Sequence, residues 1–131
     1  MTLKIVRLGT ERSADEGLRI GTVRRPPRGV PKAEFALQNW YDVWYPNLSP
    51  HPDTMKFAQA AQAHQDEKAW AEFRRKFRAE MHEPEASHSL DLLAALSHRT
   101  NFSLGCYCAD EAHCHRAVLR ELLMERGALF A

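Results

Sequence analysis

The stretch Asn101-Phe-Ser-Leu-Gly-Cys106, followed closely by Cys114-His-Arg-Ala-Val-Leu-Arg-Glu-Leu-Leu123, decides the fold of this chain. The first part is mostly apolar, as a buried strand is, and the apolar residues of the second part recur at the spacing of an amphipathic helix. A buried strand that leads into a helix is typical of open α/β sheets, where ligands bind at the carboxyl ends of the strands. The turn between the two parts is therefore the first place to expect chemistry.

The rest of the chain supports an α/β fold class. Two short strands are predicted near the N-terminus, and helical patterns occupy the centre before the last strand and helix. This order is expected when a sheet is mainly parallel and helices flank it in two or three layers, and 131 residues suit a single domain over residues 1–131. The predicted strands are Leu3–Leu8, Leu18–Val23 and Asn101–Cys106; the predicted helices start at Asp53 or Thr54, at Asp66, at Ser87 or Ser89 and at Cys114, and end near His64, His82, Arg99 and Arg126.

Composition limits the classes of partner. Lysine and arginine number 18 against 17 aspartates and glutamates, so no global field attracts nucleic acid or an acidic membrane, and an anion site must be local. No apolar run approaches the roughly 20 residues that span a bilayer. We expect a cytoplasmic protein without a membrane partner, in which the three cysteines are reduced.

A stiff basic loop follows the second predicted strand. Its sequence is Arg24-Arg25-Pro26-Pro27-Arg28-Gly29-Val30-Pro31, and the three prolines prevent regular structure. Arg24, Arg25 and Arg28 are predicted either to bind a phosphate-like anion or to serve as surface charges and partners of carboxylates. The aromatic segment that comes next, Phe35 to Leu48, is expected to be a packed, irregular connection.

The turn from Cys106 to Arg116, here called the cysteine turn, can first be interpreted as a metal site. With a period of two, Cys106 and Cys108 lie on one side of the strand end, and Cys114 lies in the first turn of the helix. Three thiolates suit zinc or iron. If residues 113–115 are helical, however, neighbouring side chains diverge by about 100°, which disfavours one ion bound by Cys114 and an adjacent histidine. The candidates for a fourth ligand are His51, His113 and His115.

The same turn can be interpreted as a site of thiol chemistry or of anion binding. Cys114 at a helix N-terminus near Arg116 favours a thiolate, with His115 as proton carrier and Arg116 as the clamp for an anion. Cys108 and the three arginines of the basic loop are further candidates for ligand binding. The turn lacks the Cys-x5-Arg spacing of phosphatase loops, and Cys106 is expected to fill the core at the strand end.

These residues carry a family resemblance. Gly17–Lys32, Trp70–Met81, Phe102–Cys108 and Cys114–Leu123 resemble the DUF488 domain family in order and spacing, over nearly the whole chain. The Cys-His-Arg at the helix start resembles its smaller, cysteine-bearing members, whereas Val23–Gly29 departs from their Asp-Arg-Leu-Trp-Pro-Arg-Gly loop at the aspartate and tryptophan positions. The resemblance implies a Rossmann-like fold with a pocket between the two loops, and neither a reaction nor a metal, because the family's function is unknown.

Three hypotheses of function follow. The first is the binding of a small anionic or nucleotide-like ligand at the cysteine turn, with thiol-based chemistry as its extension, and it leaves enzymatic turnover open. The second is a metal-binding interaction module in which Cys106, Cys108 and Cys114 hold zinc or iron, and the aromatic segment Trp40–Tyr45 docks a protein. The third is an accessory role in nucleic-acid processing, against which the near-neutral charge argues. The sequence leaves the oligomeric state open.

Overall fold

Four parallel strands form one sheet in the order β1-β4-β2-β3, and the computed structural model describes residues 1–131. Four helices complete an α/β fold consistent with a Rossmann-like arrangement, which confirms the predicted fold class. The strands are β1 (Leu3–Arg7), β2 (Leu18–Gly21), β3 (Val43–Trp44) and β4 (Phe102–Cys106), and the helices are α1 (Pro52–His64), α2 (Glu67–Met81), α3 (Pro84–Leu96) and α4 (His115–Glu125).

One face of the sheet carries the main hydrophobic core. Leu3, Ile20, Phe102 and Leu104 belong to the same buried cluster as apolar side chains from all four helices. Because strand side chains alternate between faces, Arg19 and Ser103 point to the opposite side, where loops cover the sheet. The helices thus form one layer on one side of the sheet, which is the two-layer form of the prediction.

At the carboxyl end of the sheet, side chains of the covering loops pack directly against the strand backbone. Gly21 and Gly105 are partners in the β2–β4 register. A Cβ atom on Gly21 would lie 2.4 Å from Cδ2 of Tyr41, and one on Gly105 would lie 2.4 Å from Cδ2 of Leu8. The two glycines therefore make the space in which these apolar side chains cover the sheet.

Two helix starts differ from the prediction, and proline is the reason in both. Helix α1 begins at Pro52, with His51 as its N-cap, instead of being capped at Asp53 or Thr54. Helix α3 begins at Pro84 instead of Ser87 or Ser89. Proline suits the first helical position, since its fixed φ is helical and its missing N–H has no partner there.

The remaining elements agree closely with the sequence analysis. Asp66 caps α2 by accepting hydrogen bonds from the backbone N–H groups of Lys68 and Ala69. The aromatic segment before α1 is largely irregular, but it contains the two-residue strand β3, which was not predicted. None of the four helices has the length and apolar character needed to cross a membrane.

Candidate functional site

The carboxyl ends of β2 and β4 bring the basic loop beside the cysteine turn. Strand β4 ends at Cys106, and the chain after β2 stays attached to it because the backbone N–H of Thr22 donates to the carbonyl of Gly105 at 2.9 Å. The basic loop starts immediately after this contact. The two segments that the sequence analysis singled out are therefore neighbours at the edge where α/β sheets bind ligands.

A cavity of about 880 Å³ lies at this edge. The basic loop forms one wall, the Cys106–Cys108 segment and His115 form another, and helix α1 forms the third through Met55, Gln59 and Gln62. Its volume falls within the range of about 300–1,000 Å³ that is usual for ligand sites.

The cavity wall is rich in arginine and free of carboxylates. Arg24, Arg25 and Arg28 all line it, and no aspartate or glutamate does. Arg24 donates to the carbonyls of Ser49 and Pro50 at 3.2 and 3.1 Å, which holds its side chain along the wall. None of the three forms an ion pair. The alternative prediction, that these arginines are partners of carboxylates, is therefore wrong. Their charge is available to an anion in the cavity.

Aromatic and proline side chains supply the apolar part of the wall. The rings of Trp40 and Tyr107 meet edge to face with centroids 5.9 Å apart. Burial raises the pKa of Tyr107, so its hydroxyl stays protonated and donates to the carbonyl of Arg25 at 2.9 Å. This bond connects the cysteine turn to the basic loop across the cavity.

A buried cluster of two thiols and one imidazole forms the inner end of the site. One donor atom each of Cys106, Cys114 and His115 lies within 4.8 Å of the others, so the cluster can hold a metal ion. The sulfur of Cys108 lies 3.8 Å from that of Cys106. The structure thus brings all three cysteines together, as their spacing predicts, and of the three candidate histidines it places His115 beside them.

The expected divergence of Cys114 from His115 does not occur. Cys114 is the N-cap of α4, with an extended backbone (φ −116°, ψ 154°) instead of a helical one. Its sulfur therefore lies 3.7 Å from Nδ1 of His115. The other predicted fourth ligands point elsewhere: His113 contacts Asp110 and Glu67, and His51 lies beside Glu80 at the start of α1.

Backbone contacts fix the tautomer of His115. Its Nε2 lies 2.7 Å from the carbonyl oxygen of Thr22, which only accepts hydrogen bonds, so Nε2 carries the proton. The hydroxyl of Thr22 donates to the carbonyl of Gly105 and lies 3.1 Å from the same nitrogen. In the neutral ring, Nδ1 is consequently unprotonated and presents its lone pair to Cys114.

Among the three neighbouring thiols, Cys114 is the one that is favoured to carry a negative charge. Hydrogen bonds to Cys108 and Cys114, together with burial, raise the pKa of the Cys106 thiol. Hydrogen bonds from Cys106 and Cys108 lower the pKa of Cys114. The thiolate predicted at Cys114 agrees with this direction, but Cys114 is 1% exposed and does not line the cavity. Cys106 and Cys108 are the thiols that face the cavity.

Arg116 has a different position from the one expected of an anion clamp. Its side chain is buried and does not line the cavity. Nη1 donates to the carbonyl of Val6 at 2.8 Å, Nη2 to that of Cys108 at 2.5 Å, and Nε to the sulfur of Cys114 at 3.4 Å. The guanidinium therefore holds the end of β1, the cysteine turn and α4 together, with its main donors already engaged.

The wall that α1 contributes is not predicted by the sequence. Met55, Gln59 and Gln62 recur at helical spacing on one face, but such a pattern does not show which part of the sheet the helix faces. The convergence of Cys114 and His115 did have a signal, because an N-cap residue normally has an extended backbone. Placing the N-cap at Cys114 predicts it.

A family model described as the active DUF488-N3 subclade matches residues 3–127, so the chain belongs to the DUF488 family, whose function is unknown. No curated protein matches the chain. No solved structure matches it either.

Proposed function

We propose that this DUF488 protein binds a small, phosphate-bearing ligand of nucleotide-like size in the cavity between the basic loop and the cysteine turn. The observation that carries the proposal is the composition of the wall: three arginines without ion-pair partners line the cavity, and no carboxylate does. Guanidinium groups bind phosphate oxygens through paired, charge-assisted hydrogen bonds. An unpaired cluster of this kind gains most from a ligand with more than one negative charge.

The remaining wall suits the organic part of such a ligand. Trp40, Tyr107 and Met55 offer aromatic and apolar surface beside the arginines, and the exposed amide of Gln59 forms no hydrogen bond within the protein. A ligand site usually combines a largely apolar lining with a few polar groups that fix orientation. A nucleotide meets both demands, since its phosphates reach the arginines while its base lies against apolar surface.

The conformation of the basic loop is restricted before a ligand binds. Pro26 and Pro27 restrict its backbone, and Tyr107 holds the carbonyl of Arg25. Restricting a binding loop beforehand reduces the entropy that is lost when the ligand binds. We therefore expect the loop to bind phosphate without a large rearrangement.

Isothermal titration calorimetry with ADP and with inorganic pyrophosphate tests the proposal. Both should bind, and ADP should bind more tightly because only it reaches the apolar wall. Arg28→Gln should weaken both by about tenfold or more, since one charge-assisted hydrogen bond contributes about 1.5–3 kcal/mol. Arg99→Gln is the matched control, because Arg99 is an exposed arginine without an ion pair that lies outside the cavity.

Either of two results contradicts the proposal. One is the absence of measurable heat with both probes at millimolar concentration. The other is an equal loss of affinity in Arg28→Gln and Arg99→Gln, which would mean that general surface charge, and not the cavity, attracts the anion.

A further inference from the structure

We propose that Cys106, Cys108, Cys114 and His115 bind one zinc ion at the inner end of the cavity, with His115 coordinating through Nδ1. Its ligands are different residues from the three arginines that are proposed to bind phosphate, so either proposal can hold without the other. The donors are three sulfurs and one imidazole nitrogen, a set that zinc takes in tetrahedral structural sites.

Two pairs of donor atoms have the spacing that is found around a single tetrahedral zinc ion. Zn–S distances of about 2.3 Å and Zn–N distances of about 2.0–2.1 Å place two sulfurs roughly 3.8 Å apart and a sulfur and a nitrogen roughly 3.6 Å apart. The sulfurs of Cys106 and Cys108 are 3.8 Å apart, and the sulfur of Cys114 is 3.7 Å from Nδ1 of His115. Donor atoms of Cys106, Cys114 and His115 lie within 4.8 Å of one another. Cys108 is not part of this group but lies beside Cys106, so rotation of its side chain is needed to make it the fourth ligand.

The same spacing favours zinc over an iron–sulfur cluster. Such clusters are held mainly by four cysteine thiolates, whereas the chain has only three cysteines. The two measured spacings, 3.8 Å between two sulfurs and 3.7 Å between a sulfur and a nitrogen, are also those of donors around one ion. A mixed thiolate and imidazole set is typical of zinc.

His115 already has the second contact that a zinc-binding histidine needs. Such a residue normally donates its other ring N–H to a carbonyl or carboxylate, which fixes the ring and its tautomer. The carbonyl of Thr22 accepts that hydrogen bond at 2.7 Å. The unprotonated Nδ1 is then directed at Cys114, on the side where the other sulfurs lie.

Arg116 balances the charge of the filled site. Three thiolates and one Zn²⁺ leave a single excess negative charge, which is costly to bury unless a cation is near. The buried guanidinium of Arg116 donates through Nε to the sulfur of Cys114 at 3.4 Å. The residue that was expected to clamp an external anion thus has the position of a counter-charge to the thiolates.

Zinc titration of the reduced, metal-free full chain, in competition with a chromophoric chelator, tests the site. One zinc should bind per chain. Cys114→Ser and His115→Ala should each weaken binding by more than the roughly 10–100-fold that loss of an outer contact costs, and Arg116→Gln should weaken it within that range. His113→Ala is the matched control, because it removes the adjacent histidine, which faces Asp110 and Glu67, and should leave the affinity unchanged.

The wild-type chain gives a second test that does not depend on the folding of the variants. Cobalt(II) should produce thiolate-to-metal charge-transfer absorption, and zinc should slow the reaction of all three cysteines with a thiol reagent. The proposal is overturned if cobalt binds without that absorption, if the thiols react equally fast with and without zinc, or if folded His115→Ala and His113→Ala bind zinc equally well.

Discussion

Arg19 is the largest fully buried side chain in the molecule, and a network of acceptors accounts for its position. Its Nε and Nη2 donate to the carboxylate of Glu16 at 2.7 and 2.9 Å, and its Nη1 donates to the carbonyls of Thr10 and Asn39. Ser103 on β4 also donates to Glu16. One ion pair thereby connects two strands to the loops that cover the sheet.

Replacing Arg19 with methionine should therefore destabilise the fold strongly. Removal of one partner leaves Glu16 buried and unpaired, which typically costs about 3–5 kcal/mol. Urea unfolding measures the change. The control is Arg75→Met, which breaks an exposed pair with Glu72 and should hardly alter the free energy of unfolding. Equal effects of the two substitutions would show that the buried network does not stabilise the fold.

The network also predicts how stability depends on pH. Burial alone would raise the pKa of Glu16, but the hydrogen bonds from Arg19 and Ser103 lower it below the ordinary value of 4.5. A carboxyl whose pKa is lowered by folding stabilises the fold above its unfolded pKa, and this contribution is lost as the pH falls through the folded pKa. The free energy of unfolding should thus decrease below pH 4.5.

The wild type and Glu16→Gln, compared by urea unfolding from neutral to acidic pH, test that assignment. Glu16→Gln removes the titrating group, so its unfolding free energy should decrease less steeply in acid. Parallel curves for the two proteins would assign the acid sensitivity to other carboxyls, such as Asp42, whose pKa is also lowered.

At the scale of elements, the paired glycines of β2 and β4 allow the sheet to be covered closely. Gly105→Ala would place a methyl group 2.4 Å from Cδ2 of Leu8, and such overpacking costs about 1–3 kcal/mol. If the clash is the cause, Leu8→Ala should relieve it. The double variant should then be less destabilised than the sum of the two single variants, and strict additivity in a double-mutant cycle would contradict the account.

The sequence patterns that predicted these elements are local. Phe73, Phe77 and Met81 recur at helical spacing and predict α2, and the apolar run before Cys106 predicts β4, because burial of one face specifies the period directly. The predicted starts of α1 and α3 differ from the observed ones because proline both interrupts a helix and is well suited to begin one, as Pro52 and Pro84 do. Strand β3 was missed since two residues carry no periodicity.

At the scale of the whole molecule, the candidate site combines three segments that are far apart in the sequence. The basic loop and the cysteine turn were predictable from their composition and from the rule that parallel strands end at one edge. The α1 wall and the inward turn of Arg116 depend on tertiary packing, which no local pattern encodes. The charge of the site also depends on the fold. The whole chain has a net charge of +1, whereas the cavity wall has three arginines and no carboxylate.

The most direct test of this account is an NMR titration of the ¹⁵N-labelled chain with ADP. We predict saturable shifts of backbone amides in residues 23–29 and 106–108, together with residues 55–62 on α1, because these three segments enclose the cavity. Saturable shifts confined to another surface, or no shifts at all at millimolar ADP, would contradict the claim that this cavity is a binding site for a phosphate-bearing ligand.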